Sequence, residues 1–160
     1  RLSIASPSEQ SAKFGQRLRL HPAILLEPPL ENDELFFRRL ASADILLLPV
    51  NFSEKSIRFI RYSMPTKVPA YLTSGTPILA YGPKGTAQID YATSERWAKV
   101  VVNRDLNELS LAIIQIIEDT NLRTSLSQQA FAVARNKHDA VKVRTDFQEV
   151  ISCCAGKEVC

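Results

Sequence analysis

The sequence predicts an α/β domain, a parallel sheet with helices on both faces. Apolar runs of strand length alternate along the chain with longer stretches whose apolar residues recur at helical spacing. Residues 43–50 are nearly continuous in large apolar side chains, as a parallel strand covered on both sides requires. The connections are short and marked by glycine and proline, above all at Gly75-Thr-Pro77 and Gly82-Pro-Lys-Gly85.

In chain order, residues 2–5 make the first strand. Ser6-Pro-Ser8 is a turn that can cap a helix over residues 9–18. Ala23-Ile-Leu-Leu26 is a second strand, and Glu27-Pro-Pro-Leu30 a stiff loop. A helix from Glu31 or Asn32 to about Ser42 sets Leu35, Phe36, Leu40 and Ala41 on one side and Arg38 and Arg39 on the other.

The central strand, 43–50, leaves through Asn51-Phe-Ser-Glu-Lys55 into a helical turn or two over 56–63, where Lys55, Arg58 and Arg61 share a face. Residues 87–94 read as a short helix with Tyr91 on its apolar side, and 97–102 as a strand. Asp105 or Asn107 caps a helix to Thr120 whose Leu109, Ala112, Ile113, Ile116 and Ile117 belong to the core. Another helix runs to Asn136. A last one, capped by Asp139, carries the stripe Val143, Phe147, Val150 and Ile151.

Composition bounds the function. A chain of 160 residues with 45% hydrophobic and 23% charged residues suits one globular domain, here 1–151 followed by a flexible tail, 152–160. A net charge of +3 is too small to argue for nucleic acid and is compatible with an anionic ligand. No apolar run is long enough for a membrane span and no signal-peptide pattern opens the chain, so a cytoplasmic location is the default. Opening directly on a strand, the chain reads as a domain fragment. The three cysteines, Cys153, Cys154 and Cys160, fit neither a disulfide framework nor a zinc site. His21 and His138 read as surface residues.

The chemistry concentrates in the stretch from Met64 to Pro83. Pro65 suits the first helical position, because its missing N–H is one that no intrahelical carbonyl would have used. The amides of Thr66 and Lys67 then lack intrahelical partners, and such a helix start attracts an anion. Lys67 puts a full positive charge in that first turn, which suits the helix only when something negative sits close by. Gly75 and Pro77 end the helix, and Ile78-Leu-Ala-Tyr81 is a strand closed by the turn at Gly82. Gly82-Pro-Lys-Gly-Thr86 lacks the spacing of a Walker loop.

The pattern Pro65-Thr-Lys-Val-Pro-Ala-Tyr-Leu-Thr-Ser-Gly-Thr-Pro-Ile-Leu-Ala80, preceded by Ala43-Asp-Ile-Leu-Leu-Leu-Pro49 and followed by a helix with Asn107-Glu-Leu109, resembles the C-terminal, donor-binding half of a GT-B glycosyltransferase. More narrowly it is similar to the group 1 (family 4) enzymes. The resemblance implies a Rossmann-like fold and transfer of a sugar from a nucleotide-diphosphate sugar, with retention and without a metal or other cofactor. It implies donor-diphosphate contacts from Met64, Pro65, Thr66 and Lys67, the last with a catalytic role in stabilising the departing nucleotide; the basic face of Lys55, Arg58 and Arg61 is either solvated or turns Arg58 or Arg61 into the phosphate cleft beside Lys67. By the same resemblance Ser6 and Ser8 belong to a phosphate loop, and Pro28 and Leu30 to a nucleobase loop.

The implied partners are the nucleotide sugar and a missing N-terminal acceptor-binding domain, with peripheral membrane association of the full enzyme; the isolated fragment would not turn over. The terminal helix of such enzymes crosses back to the other domain, whereas in a fragment its stripe is expected to pack on this one. One departure stands out: Ala70 and Tyr62 occupy the positions where these enzymes often carry a pair of glutamates. The alternative reading is a catalytically inactive GT-B-like scaffold or an α/β interaction module. Tyr71, Leu72 and Ile78 are expected to pack rather than bind.

Overall fold

The computed structural model describes residues 1–6 and 8–156, with residues 8–11 as backbone. Its elements are β1 (Leu2–Ala5), α1 (Ser8–Arg19), β2 (Ile24–Glu27), α2 (Asp33–Ala41), β3 (Leu46–Pro49), α3 (Glu54–Ile60), α4 (Lys67–Thr73), β4 (Ile78–Tyr81), α5 (Ala87–Glu95), β5 (Lys99–Val101), α6 (Leu106–Glu118), α7 (Thr120–Lys137) and α8 (Ala140–Cys154). They form two units, Arg1–Arg39 and Leu40–Cys160.

In the first unit β1 and β2 pair in parallel, from Leu2 opposite Ile24 to Ala5 opposite Glu27. Helix α1 lies on β2, where the buried Gly15 faces Leu26. Asn32 caps α2 as its residue type predicts, its side chain accepting from Leu35 N at 2.9 Å.

The second unit is built on the parallel sheet β3-β4-β5. Ile78, Leu79 and Ala80 of the middle strand are all buried, because helices cover it on both sides. Leu79 and Val101 pack with Ala112 and Ile116 of α6 and Leu126 of α7, with Ile45, Leu47 and Tyr81 against them. Helix α4 rests on α7 through the same apolar spacing that buries Val68 and Leu72. Both sheets are parallel with helices around them, a Rossmann-like α/β architecture.

Several boundaries differ from the sequence reading. β3 begins at Leu46, not at 43, because Ala43 N donates back to the Leu40 carbonyl in a turn out of α2 and Asp44 is left exposed. α3 begins earlier than expected, since the Ser53 hydroxyl accepts from Ser56 N and caps it. α4 starts at Lys67 with Thr66 as its cap residue, so Pro65 is not the first helical residue; its carbonyl instead accepts from Val68 N at 3.1 Å in an entry turn. The expected stop is present, with Gly75 at φ +77° just past the helix.

The end of the chain departs furthest. α8 carries the expected stripe, yet Val143, Phe147, Val150 and Ile151 are exposed rather than packed on this domain. The helix also continues to Cys154, so 152–154 are helical and not part of a flexible tail, while Cys160 lies outside the described residues. No helix among the described residues is long and apolar enough to cross a membrane.

Candidate functional site

Parallel α/β sheets bind ligands beyond the carboxyl ends of their strands, where loops and helix starts gather. In the second unit three loops leave that edge: residues 50–53 after β3, 82–86 after β4 and 102–105 after β5. The strands hold them together, since Val50 N donates to the Tyr81 carbonyl at 2.7 Å and Gly82 N to the Val101 carbonyl at 3.0 Å. The rings of Phe52 and Tyr81 lie 5.1 Å apart at the same edge.

A fourth segment is fastened there from outside the sheet. Ala87 N, at the start of α5, donates to the Arg61 carbonyl at 2.7 Å. That bond anchors the connection between α3 and α4 beside the loop that follows β4. Arg61, Met64, Pro65, Thr66 and Lys67 all belong to this connection or open the helix after it. Pro65 is half-buried; Arg61, Met64, Thr66 and Lys67 are exposed.

The electrostatics of this segment are one-sided. Lys55, Arg58, Arg61, Lys67 and Lys84 take part in no ion pair among the described residues. Asp90, the acid nearest in sequence to the Gly82 loop, is engaged in accepting from Gly85 N at 3.0 Å. The Thr66 side chain makes no capping bond, and α4 is only seven residues long. Its dipole is therefore a minor contributor, and the side-chain charges of Arg61 and Lys67 dominate what an anion would meet.

The other expected residues lie in the first unit. Ser6 N donates to the Glu27 carbonyl at 3.2 Å, so the residues after β1 and β2, Ser6 and Pro28, are neighbours at the carboxyl edge of that sheet. Pro28 is exposed and Leu30 half-buried; Ser8 opens α1, and its side chain lies outside the described residues.

Two clusters were not visible in the sequence. Arg39 Nη2 reaches Glu27 Oε1 at 2.5 Å and Ser3 Oγ at 3.0 Å, while Ser3 Oγ donates to Glu27 Oε2 at 2.8 Å. The hydrogen bond from Arg39, then that from Ser3, holds the Glu27 carboxyl below its ordinary pKa against the opposing effect of burial. Glu27, read as the start of a loop, is thus the last residue of β2.

The second cluster corrects the reading of His138 as a surface residue. It is half-buried, Nε2 lies 2.9 Å from the Tyr91 hydroxyl, and Tyr91 in turn packs on the buried Trp97. Burial, then the neighbouring Lys137, pushes the imidazole pKa down. His21 is exposed, as expected. Leu72 and Ile78 are fully buried and Tyr71 half-buried, with burial pushing its phenol up, so all three are packing residues.

No protein-family model matches the chain, and no curated protein sequence matches it. Among solved structures it is similar to the crystal structure of WaaG, a glycosyltransferase involved in lipopolysaccharide biosynthesis, with a TM-score of 0.57 and 15% sequence identity over 94% of this chain. The chain spans 37% of that protein's length. At this identity the likeness speaks for the fold alone, an α/β, Rossmann-like one.

Proposed function

We propose that this chain is the donor-binding part of a glycosyltransferase that uses a nucleotide-diphosphate sugar. The observation that carries the proposal is the segment 61–67, fastened to the start of α5 at the carboxyl edge of the sheet, with Arg61 and Lys67 exposed and outside any ion pair among the described residues. A diphosphate supplies the negative charge that this segment lacks. Arg61 and the Lys67 ammonium hold the phosphates, with the Thr66 and Lys67 amides beside them and Met64 and Pro65 shaping the approach.

Charge accumulates on the diphosphate as the sugar departs, so a fixed cation there binds the transition state more tightly than the ground state. Lys67 is assigned that role. Ser6 and Ser8 as a phosphate loop, and Pro28 and Leu30 as a nucleobase loop, rest on the sequence resemblance alone. Transfer with retention and without a metal rests on the sequence resemblance, as do an acceptor-binding half outside this chain and peripheral membrane association of the whole enzyme; a cytoplasmic location is proposed as the default. The isolated chain is expected to bind donor and to show no turnover.

Calorimetric titration with UDP, GDP and dTDP, beside Lys67→Ala, tests the reading. One diphosphate binds, and the variant weakens it by ~1–3 kcal/mol, the scale of a charge-assisted hydrogen bond. Binding insensitive to Lys67 would move the site elsewhere. A folded protein that binds none of the three would favour the second reading, a GT-B-like scaffold without activity. Ala70 is the observation behind that alternative, because a methyl group in α4 offers no acceptor to a ribose.

A further inference from the structure

Gln88 stands in the first turn of α5 with 5% of its surface exposed, and its side-chain carbonyl, Oε1, has no hydrogen-bond partner among the described residues. A closed-off acceptor of this kind costs stability, and native chains keep few of them, chiefly where a binding role or a held water accounts for the residue. We infer that Gln88 is a specificity-determining residue: its Oε1 accepts a hydrogen bond from a neutral hydroxyl of the sugar being transferred. The inference rests on the donor-site reading and adds to it the group that tells a nucleotide sugar from the bare nucleotide.

Position is the first argument. Ala87, one residue earlier, donates its amide to the Arg61 carbonyl at 2.7 Å, and the side chain of Ile89, one residue later, stands against Gly82. Gln88 thus sits where the 61–67 segment meets the loop after β4, at the carboxyl edge of the sheet. Helical side chains lean toward the N-terminus of their own helix, so from the first turn of α5 this one leans toward that edge. Gln88 and Ala92 are one turn apart and both buried, which puts the amide on the covered side of α5.

Chemistry is the second. The hydroxyl of the neighbouring Thr86, equally out of water, donates to the Pro83 carbonyl at 3.0 Å, so the loop meets its own polar needs without Gln88. An amide carbonyl repels phosphate oxygens and takes a neutral O–H, so it complements the uncharged part of a nucleotide sugar. Oε1 has already lost its water, and a hydroxyl that reaches it gains a bond without that cost being met again. The tip of the loop has room to give way, since Lys84 and Gly85 are exposed and nothing lies within 4 Å of a Cβ placed on Gly85. Trp97 Nε1, also buried and without a partner among the described residues, makes the contrast: it precedes β5, at the amino end of the sheet and away from these loops.

The test is calorimetry of the whole chain with UDP, GDP and dTDP, each beside a hexose conjugate: UDP-glucose, GDP-mannose and dTDP-glucose. Wild type, Gln88→Leu and Gln88→Met are compared. Both variants are expected to weaken binding of the sugar nucleotide ~3–10-fold, the scale of one hydrogen bond, and to leave the bare diphosphate unchanged. Their thermal midpoints should equal or exceed that of the wild type, because the orphaned acceptor is gone.

Equal weakening of diphosphate and sugar nucleotide would assign Gln88 to the ribose and overturn the inference. No weakening of either would place Gln88 outside the site, and a clear drop in midpoint would show that Oε1 is held by a permanent partner; each overturns it too. In all three cases a diphosphate still binds and the donor-site reading stands. A folded wild type that binds no diphosphate is the distinct failure of that reading, and the inference falls with it.

Discussion

Gly82 lies so close to Val50 that a Cβ on the glycine would stand 2.4 Å from the valine Cβ and 3.3 Å from Cδ1 of the buried Ile89. Neither backbone has room to yield, because Val50 and Gly82 are each tied to the neighbouring strand by a backbone hydrogen bond. Gly82→Ala is expected to cost ~1–3 kcal/mol in urea unfolding, the usual scale of overpacking. Adding Val50→Ala removes the valine Cγ2 but leaves its Cβ in place, so stability should not return. An unchanged midpoint for Gly82→Ala would mean that the carboxyl ends of β3 and β4 part easily.

Two buried polar side chains predict opposite outcomes. Thr76 is 4% exposed, and its hydroxyl donates to the Leu40 carbonyl at 2.8 Å, tying the entry of β4 to the end of α2. Thr76→Val should cost ~0.5–1.5 kcal/mol. Gln88 is equally buried, yet its Oε1 has no hydrogen-bond partner among the described residues. Gln88→Leu removes that orphaned acceptor at similar volume and should leave stability unchanged or raise it. Thermal unfolding of the two variants in one buffer reads the difference, and a clear loss for Gln88→Leu would show that the carbonyl is satisfied in solution.

The contrast between Thr76 and Gln88 shows where sequence reasoning stops. Ile78–Tyr81 was legible residue for residue, because an apolar run between Pro77 and Gly82 leaves little choice. The stop of α4 at Gly75 was legible for the same local reason. The start of that helix was not, since Pro65 is as content in the entry turn as at a first helical position. Long-range pairings left no local trace: nothing around Arg61 announces its bond to Ala87, nor anything around Glu27 its bond to Arg39. The stripe of α8 is legible as a stripe, but periodicity states which face is apolar, not what covers it. In the candidate site the order of the residues is a matter of sequence, whereas the bond that fastens Arg61 to the start of α5 spans 26 positions and has no local signature.

His138 gives the chain a defined response to acid. Its pKa is lowered, first by burial and then by Lys137, so the folded state prefers the neutral ring. A group of this kind contributes stability that is complete above its unfolded pKa of ~6.5 and is lost as the pH falls through the lowered folded value. Unfolding free energy should therefore decline from about pH 6.5 downward, and His138→Gln should flatten that part of the curve. Tyr91→Phe removes the hydroxyl 2.9 Å from Nε2 but not the burial, so the imidazole observed by NMR should still titrate below its ordinary value. A return to the ordinary value in Tyr91→Phe would make the hydrogen bond, not burial, the cause.

Ala70 offers the sharpest test of how a donor would lie. It stands three residues after Lys67, one turn along the same face of α4, and is half-buried. If the proposed diphosphate site at Lys67 sends the nucleoside past this position, a methyl group gives its ribose hydroxyls nothing to bond. The wild type should thus bind UDP and 2′-deoxy-UDP alike. In Ala70→Glu the carboxylate supplies an acceptor for the ribose, and UDP should gain ~1–2 kcal/mol over its deoxy analogue. The added negative charge acts on both nucleotides equally, so it cancels in the comparison, and calorimetry of the pair isolates the hydroxyl. A variant that binds both alike would place the ribose away from α4 even if Lys67 holds the phosphates.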